Sequence, residues 1–308
     1  MRAGFDGLEV SRLPKGTKLY EGKVRDVVDL GDKLLMVASD RISAFDKILG
    51  IVPAKGEILN RISQFWFDQT KDIVPNHLIA EVLPRAVLVK KAQVLPVEVI
   101  VRGYLTGSLW RDYSAGRSWP GVGLPEGMKN HEGFPDPIMT PTTKAAVGDH
   151  DMPIGWKQII DTGLVPQALW FEVEKVAFAL FRRGQEILAK QGLILVDTKY
   201  EFGVIDGKLV LVDEIHTPDS SRFWFAEDYA TAFAQGREPK KLDKEYLRQW
   251  LIKNGFSGEG TPPAIPQDVY DEVYNRYCEA FSLITGTKFI PSELSKDAQM
   301  EKILTYIK

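Results

Sequence analysis

One segment, residues 192–203, constrains the fold most strongly because it has the pattern of a buried strand that ends in a row of charges. Side chains alternate between the two faces of a strand. Strict alternation places a nearly apolar set on one face: Ile194, Val196, Thr198, Tyr200 and Phe202. On the other face it places Leu193, Leu195, Asp197, Lys199 and Glu201. A solvated edge strand is the alternative, but the segment begins too hydrophobic for an edge. We therefore predict a polar cleft at the end of a core strand.

The following segment, residues 208–215, is also apolar until two acidic residues appear at its end. The Asp-Gly sequence at 206–207 predicts a β-hairpin between the two segments. A two-residue turn would pair Lys199 with Glu214 and send Asp213 to the opposite face. A three-residue loop with glycine in the left-handed position would pair Lys199 with Asp213. We predict the three-residue loop.

This register would make the carboxylates of Glu201 and Asp213 diagonal neighbours on one face of the hairpin. Two carboxylates so placed repel each other unless a cation lies between them. Mg²⁺ is usually held by one or two carboxylates together with substrate phosphates. We therefore predict a Mg²⁺ site at Glu201 and Asp213.

The composition narrows the class of protein. A chain of 308 residues with 44% hydrophobic residues can bury a sizeable core, and we expect two lobes. A net charge of -3 argues against a general nucleic-acid binder. The single cysteine, Cys278, excludes an intrachain disulfide. Because no apolar run approaches the roughly 20 residues that span a bilayer, and no signal-peptide pattern opens the sequence, we expect a cytoplasmic protein that binds neither membrane nor nucleic acid.

The hydrophobic periodicity divides the chain into a β-rich first third and a helical last third, separated by a long polar region. The first third contains four predicted strands and a helix, at 18–30, 33–39, 86–91, 97–102 and 54–70. Residues 114–163 are rich in Gly, Pro, Asp, His and Thr, and we predict a long loop there, of the kind that is usually functional or disordered. Further helices are predicted at 166–190, 243–253, 266–284 and from about 291. We expect the C-terminal helices to have only a packing role.

A basic pair near the N-terminus could bind phosphate. Lys23 and Arg25 are predicted to share one face of a strand that Gly22 interrupts. Glycine permits close approach of the backbone, and two cations on one side can hold a polyphosphate. A solvated edge with alternating charge explains this segment equally well.

The clearest anion site follows the predicted strand at 97–102. Arg102 enters a Gly-Tyr-Leu-Thr-Gly turn, and Ser108 is predicted to cap the next helix. A helix N-terminus with a hydroxyl and a nearby arginine binds phosphate or carboxylate, which we favour over an ordinary cap.

Two other polar segments could contribute to the same site. Residues 39–46 follow a buried strand and are expected to form a loop; alone, they indicate only a helix-capping turn. Residues 137–151, with Lys144 and His150, could close over a ligand, although a lone loop histidine is more often solvated. Taken together, the segments predict an enzyme that uses ATP and Mg²⁺ with a second, anionic substrate. The residues alone do not decide between phosphorylating an acceptor and ligating one.

At these segments the sequence resembles the SAICAR synthetases of purine biosynthesis, in particular the longer, yeast-like members of that family. The shared motifs are Gly22-Lys23-Val24-Arg25, Ser39 to Asp46, Val101 to Tyr104, Thr106-Gly107-Ser108, Thr140 to Lys144, Asp197 to Gly203, and Val212 to Trp224. The resemblance implies ligation of L-aspartate to the carboxylate of 5-amino-1-(5-phosphoribosyl)imidazole-4-carboxylate (CAIR), giving SAICAR, ADP and phosphate through an acyl phosphate.

The resemblance also implies a role for individual residues. ATP phosphates would contact Lys23 and Arg25, adenine would lie near Glu98, and Lys144 and Asp151 would lie on the nucleotide side. Mg²⁺ would be held by Glu201 and Asp213. The CAIR pocket would consist of Arg102, Ser108, Asp197, Lys199 and Arg222, with catalysis assigned to Lys199, Asp197 and Arg102. The carboxylate of CAIR or the aspartate would lie near Asp40, Arg41 and Ser43.

The implied fold is α+β or α/β with two lobes and a nucleotide cleft between them, similar to kinase and ATP-grasp folds. Residues 1–96 would form the β-rich ATP-binding lobe. Residues 97–308 would form the larger lobe, with the substrate site and the helical tail. We expect a monomer or a homodimer. A small-molecule kinase with the same ATP–Mg²⁺ site is the alternative function.

Overall fold

The computed structural model describes residues 4–45, 47–144, 151–242 and 244–307. Within these ranges the protein is α+β, with antiparallel sheets of five, seven and two strands and eight α-helices. No helix in the described ranges is long and apolar enough to cross a membrane.

The N-terminal part contains a short 3-10 helix at 10–12, the five-stranded sheet, a separate hairpin and one helix. The sheet has the order β1-β2-β3-β7-β6. Its strands are β1 (Lys18–Glu21), β2 (Arg25–Asp29), β3 (Lys33–Ala38), β6 (Leu78–Leu83) and β7 (Ala86–Lys90). Between β3 and β6 the chain forms β4 (Arg41–Ala44), β5 (Lys47–Ile51) and α1 (Lys55–Gln69).

The remaining chain builds the seven-stranded sheet and the other helices. The strands are β8 (Gln93–Val94), β9 (Val97–Tyr104), β10 (Gly133–Met139), β11 (Thr142–Thr143), β12 (Leu193–Ile205), β13 (Lys208–Val212) and β14 (Ser221–Phe225). The helices are α2 (Gly107–Ser114), α3 (Trp156–Asp161), α4 (Gln167–Ala189), α5 (Ala226–Ala234), α6 (Glu245–Lys253), α7 (Gln267–Thr285) and α8 (Lys296–Leu304).

Strand β12 organises the larger sheet. It pairs with β9 and β14 along its first part, and with β13 and β8 along its second part. Helix α4 packs on it and contributes Val173, Leu180 and Phe181 to the main core. The prediction that this segment is a core strand rather than an edge is therefore confirmed.

Each of two hydrophobic cores combines residues from distant parts of the sequence. The core of the five-stranded sheet includes Val28 and Leu35, but also Met300 and Ile303 from α8. Helix α1 packs instead into the main core, through residues such as Trp66. Helix α8 therefore packs against the N-terminal sheet, and residues from the two ends of the chain share one hydrophobic core.

The predicted helices are largely confirmed because their end signals act locally. Pro166 lies just before α4, Pro266 just before α7, and Gly286 ends α7 in the left-handed conformation with φ 71°. The last helix begins later than predicted, after Ser295, whose side chain accepts a hydrogen bond from the Ala298 amide.

Three predictions of local structure are wrong. Residues 18–30 form two strands, because the amide of Gly22 bonds to the carbonyl of Arg25 and turns the chain. Lys23 therefore lies in a turn rather than beside Arg25 on a strand. Residues 39–46 contain β4, paired with β5, instead of a loop. Residues 114–163 contain β10, β11 and α3, since β9 offers both strands a ladder of hydrogen bonds.

The predicted register of the β12–β13 hairpin is also wrong. Ile205 pairs with Lys208, so the turn has two residues, and both Asp206 (φ 51°) and Gly207 (φ 74°) are left-handed. This is the type I′ geometry, whose twist matches that of the flanking strands. The ladder ends with Glu201 opposite Val212, and Asp213 leaves it with φ 66°.

The alternation along β12 is broken as well. Leu193 and Leu195 belong to the same core as Tyr200 and Phe202, although strict alternation puts them on opposite faces. The β12–β14 pairing shifts register between Leu195 and Asp197. A bulge of this kind inserts one residue and changes which face the following residues occupy.

Candidate active site

The register of three strands aligns the main charged groups of the site. Asp197 in the central strand β12 lies opposite Arg102 of β9 on one side and Arg222 of β14 on the other. Its Oδ2 accepts hydrogen bonds from Arg102 Nη1, at 3.0 Å, and from Arg222 Nη1. A buried carboxylate is thus held between two guanidinium groups.

One cavity of about 240 Å³ brings together all five residues predicted for the CAIR pocket. Its lining includes Arg102, Ser108, Asp197, Lys199 and Arg222. One local detail differs from the prediction: Thr106, not Ser108, is the N-cap of α2. Ser108 lies in the first turn, where its hydroxyl accepts a 3.2 Å bond from Arg102 Nη2.

The cavity favours an anionic ligand. Arg102 is 3% exposed, and Thr140 Oγ1 accepts a further bond from its Nε at 2.8 Å. Burial lowers the pKa of Arg102 to about 10, against the opposing effect of Asp197, so the group remains charged at neutral pH. Because two guanidinium groups share one carboxylate here, positive charge remains available to a phosphate or carboxylate.

Lys199 connects this cavity to a second group of charges. It lines the cavity, and its Nζ donates to Glu98 Oε1 at 2.7 Å and to Glu201 Oε1 at 2.9 Å. Lys144 pairs with the other oxygen of Glu201. Glu98 also accepts a 3.4 Å bond from Thr142. The structure therefore brings together four residues predicted for nucleotide, metal and catalysis: Glu98, Lys144, Lys199 and Glu201.

The electrostatics keep Glu201 and Lys199 of this group ionised. Burial favours the neutral form of Glu201, but Lys199 and Lys144 outweigh it and lower the pKa of Glu201 to about 2. Burial would likewise lower the pKa of Lys199, yet Glu201 and Glu98 raise it above its ordinary value. Lys199 is therefore a permanent cation here rather than a proton acceptor.

The other predicted metal ligand, Asp213, pairs with Arg25. Arg25 also lies 3.1 Å from Glu214. His77 is buried close enough to feel both groups of charges: burial and Arg25 lower its pKa to about 3, while Glu201 acts in the opposite direction. His77 therefore interacts electrostatically with both Arg25 and Glu201.

Mg²⁺ fits the donor set at these positions. Glu201 and Asp213 are hard carboxylate oxygen donors, and two such groups with substrate phosphates match the usual coordination of Mg²⁺. Their present partners are cations, Lys144, Lys199 and Arg25. Among the described residues, no three acidic, histidine or cysteine side chains cluster as a metal cage.

Asp40 and Arg41 have a different environment from the cavity. Asp40 is 1% exposed, and it accepts bonds from the amides of residues 5, 54 and 56 and from Arg85. Arg41 binds three backbone carbonyls and Asp26. Ser43 pairs with Ile48 in the β4–β5 hairpin. All three lie outside the cavity that contains Lys199.

We expect Asp40→Asn to destabilise the protein strongly. The substitution removes one of the two buried carboxylates that pair with Arg85, leaving Glu57 as the other, and turns amide hydrogens toward backbone donors, which costs about 3 kcal/mol. Urea unfolding measures the loss, with Asp72→Asn, in an exposed pair with Arg183, as a control that should change little. A stable Asp40→Asn protein with raised KM for a substrate would instead support the predicted binding role.

Sequence reasoning missed a basic contribution from the C-terminal part. Lys244 and Arg248 line the cavity, although only a packing role was predicted for this part of the chain. Burial lowers the pKa of Lys244. Lys244 and Arg248 are four residues apart at the start of α6, and residues with this spacing share a helix face. The spacing could therefore have indicated a basic surface.

A buried ion pair also borders the cavity. Asp219 lines it and accepts bonds from Lys55 Nζ, at 2.8 Å, and from the hydroxyl of Tyr277. Lys55 is fully buried at the start of α1. The pair fixes α1 and α7 against the loop before β14, and no pattern in the sequence linked these distant residues.

The histidines offer no base at the cavity among the described residues. His150 lies outside the part of the chain that the structure describes, and Asp151 is exposed. His216 is fully buried, with its Nε2 2.6 Å from the hydroxyl of Tyr200, and burial lowers its pKa to about 3. His216 therefore has a structural environment.

We expect stability to fall on acidification because His77 and His216 remain neutral in the folded protein. Their pKa values of about 3 lie below the unfolded value of 6.5, so between pH 6.5 and 3 the unfolded chain binds more protons. At pH 5 each histidine should cost about 2 kcal/mol relative to pH 7. Unfolding across this range measures it, and His216→Gln should remove about half of the change. An equal slope in this variant would contradict the assignment.

Known proteins resemble this chain in sequence and in fold. A sequence profile of the SAICAR synthetase family matches residues 18–263. Phosphoribosylaminoimidazole-succinocarboxamide synthase from Bacteroides fragilis is 48% identical over 291 residues, covering 93% of each chain.

Two solved structures are also similar. The Saccharomyces cerevisiae SAICAR synthase, described as complexed with SAICAR, is 34% identical with a TM-score of 0.79, covering 92% of this chain and 99% of that one. A SAICAR synthetase described as in complex with ADP is 27% identical with a TM-score of 0.68, covering 89% and 100%. The chain therefore belongs to the SAICAR synthetase family, the ligases that form SAICAR in de novo purine biosynthesis.

Proposed function

We propose that the cavity around Arg102, Asp197 and Lys199 binds CAIR, and that ATP binds next to it on the side of Glu98 and Glu201. The observation that carries this proposal is the position of Lys199. Its side chain lines the cavity, and its ammonium contacts both carboxylates of the neighbouring group. A single fixed cation therefore lies where two reacting anions would meet.

The cavity would hold CAIR through its negative charges. Arg102 and Arg222 present guanidinium groups and Ser108 a hydroxyl, a combination suited to the ribose 5-phosphate. Lys244 and Arg248 add positive charge to the same wall. Asp197 would keep both guanidinium groups in position, since it bonds to each of them.

The nucleotide side would use the remaining predicted residues. Lys23, in the exposed turn before β2, and Arg25 would contact the ATP phosphates. Glu98, in β9, would lie near the adenine, and Lys144 would close the site from the adjoining segment. Mg²⁺ held by Glu201 and Asp213 would neutralise phosphate charge during phosphoryl transfer.

The reaction requires activation of a carboxylate, which is a poor electrophile because its leaving group would be oxide. A CAIR carboxylate oxygen would attack the γ-phosphorus of ATP, releasing ADP and forming an acyl phosphate. The amine of L-aspartate would then attack the acyl carbon, phosphate would leave, and the amine would lose a proton. Lys199 would orient and neutralise the carboxylate during the first step, as a preorganised cation.

The lobe assignment and the cellular location remain part of the proposal. We propose that residues 1–96 form the ATP-binding lobe and residues 97–308 the substrate lobe, and that the protein works in the cytoplasm as a monomer or homodimer.

The test is ADP release by the purified protein with ATP, Mg²⁺ and CAIR, with and without L-aspartate, while SAICAR is followed by mass. We expect ADP and SAICAR to appear together, and only with aspartate. ADP formed without aspartate, together with a stable phosphorylated product, would contradict the ligase mechanism and indicate a small-molecule kinase.

A further inference from the structure

We propose that a second cavity, lined in part by Ile138 and Met139, binds a small organic ammonium ion. The cavity has a volume of about 290 Å³ and shares no lining residue with the CAIR pocket. Its walls come from the 120–123 turn, the end of β10, the start of α3 and one face of α4.

Three aromatic side chains contribute to the walls. Trp156, Trp170 and Phe178 line the cavity, together with Pro120 and Pro141. Aromatic faces attract cations, and quaternary ammonium groups in particular are recognised by such rings. The indole of Trp156 already interacts with one cation, since Lys157 Nζ lies 5.8 Å from its ring centroid.

One carboxylate supplies the charge that an ammonium ion requires. Glu174 lines the cavity from α4, one turn after Trp170, and is partly buried. It has no hydrogen bond or ion pair with any residue in the described ranges. A carboxylate that is partly withdrawn from water beside aromatic rings attracts a cation. The charge therefore selects a cation over a neutral apolar ligand.

An oxygen on the ligand would also give a buried donor a partner. Trp170 is 1% exposed, and its Nε1 has no hydrogen-bond partner in the described part of the chain. A buried indole N–H usually has an acceptor. Because Trp170 and Glu174 both line the cavity, an ammonium ion with a hydroxyl or carbonyl oxygen would satisfy both groups.

The rim of this cavity lies close to the CAIR pocket in sequence and space. Trp119, directly before the 120–123 turn, has its ring 5.8 Å from the Arg102 guanidinium.

Choline is a suitable probe because 3,3-dimethyl-1-butanol has the same shape without the charge. Calorimetric titration of the full chain at constant ionic strength compares the two. We expect saturable choline binding, about tenfold tighter than binding of the neutral analogue. Glu174→Gln, which keeps the shape of the side chain, should weaken choline binding about tenfold. Glu172→Gln, at an exposed position on the same helix, is the matched control and should change nothing.

Trp156→Leu is a second variant, because Trp156 lines the cavity and is exposed to solvent. It should weaken choline binding severalfold and leave the melting temperature unchanged. Equal affinity for choline and its neutral analogue would show an apolar cavity only, and would overturn the proposal. Unchanged choline affinity in Glu174→Gln, or no saturable binding by the unmodified protein, would overturn it as well.

Discussion

Lys199→Ala is expected to lower kcat/KM for CAIR by about 10²- to 10³-fold, which is the usual effect of removing one preorganised charged donor. The structure explains why the loss should be large. Lys199 is the contact between the CAIR cavity and the two carboxylates Glu98 and Glu201, so its removal leaves these carboxylates without a shared cation. We expect the affinity for ADP to change less than the use of CAIR. Steady-state kinetics and ADP titration measure the two effects separately.

Two further variants sharpen this test. Lys190→Ala removes an exposed lysine after α4 and should leave the kinetics unchanged. Lys199→Arg keeps the charge but not the geometry, and should recover only part of the activity. If Lys199→Ala retained full activity, or if it weakened ADP binding as much as CAIR use, its assignment to the CAIR carboxylate would be wrong.

Glu201→Gln is expected to lower kcat by about 10²-fold or more and to raise the Mg²⁺ concentration needed for half-maximal turnover. The amide keeps the size of the side chain but loses the charge that Lys144 and Lys199 stabilise. Because the pKa of Glu201 is lowered to about 2, the wild-type carboxylate is ionised throughout the working range. Its titration should therefore not contribute to the pH profile of activity near neutrality.

The measurement is kcat as a function of Mg²⁺ concentration, together with Mg²⁺-dependent ADP binding. Glu186→Gln, at an exposed position of α4, is the matched control. A Glu201→Gln enzyme with a normal Mg²⁺ dependence and low kcat would assign Glu201 to positioning of Lys199 rather than to metal binding. A fully active variant would exclude both roles.

Site residues that lie at the ends of buried strands could be predicted from the sequence, but the partners of those residues could not. Arg102, Asp197 and Lys199 were predicted because their charges come at the ends of buried apolar runs, whereas Arg222 was expected only from the family resemblance. Strand pairing then brings all four together. Asp40 was predicted from a polar segment of the same kind, yet it lies in a separate buried network. A polar residue after a strand indicates a special environment, but the sequence does not say whether a ligand or another part of the chain provides the partner.

The β12–β13 hairpin shows the same limit in the pairing of individual residues. The Asp-Gly turn was recognised, but the number of loop residues was not, because both registers satisfy the local turn preferences. The type I′ turn, with two left-handed residues, fits the twist of strands that also pair with β8 and β9. A one-residue change of register reverses the face of every side chain, so the position of Asp213 could not follow from the hairpin alone.

By itself, the sequence determined the helices, the core strand and the charges at its end, because helix signals, buried runs and glycine positions act over a few neighbouring residues. The ordered motifs also sufficed to identify the family. Only the tertiary structure decided the bulge before Asp197, the pairing of Asp213 with Arg25, and the contribution of Lys244 and Arg248 to the cavity. These features join segments far apart in the chain, and the free energy that selects them comes from packing and ion pairing that exist only after those segments meet.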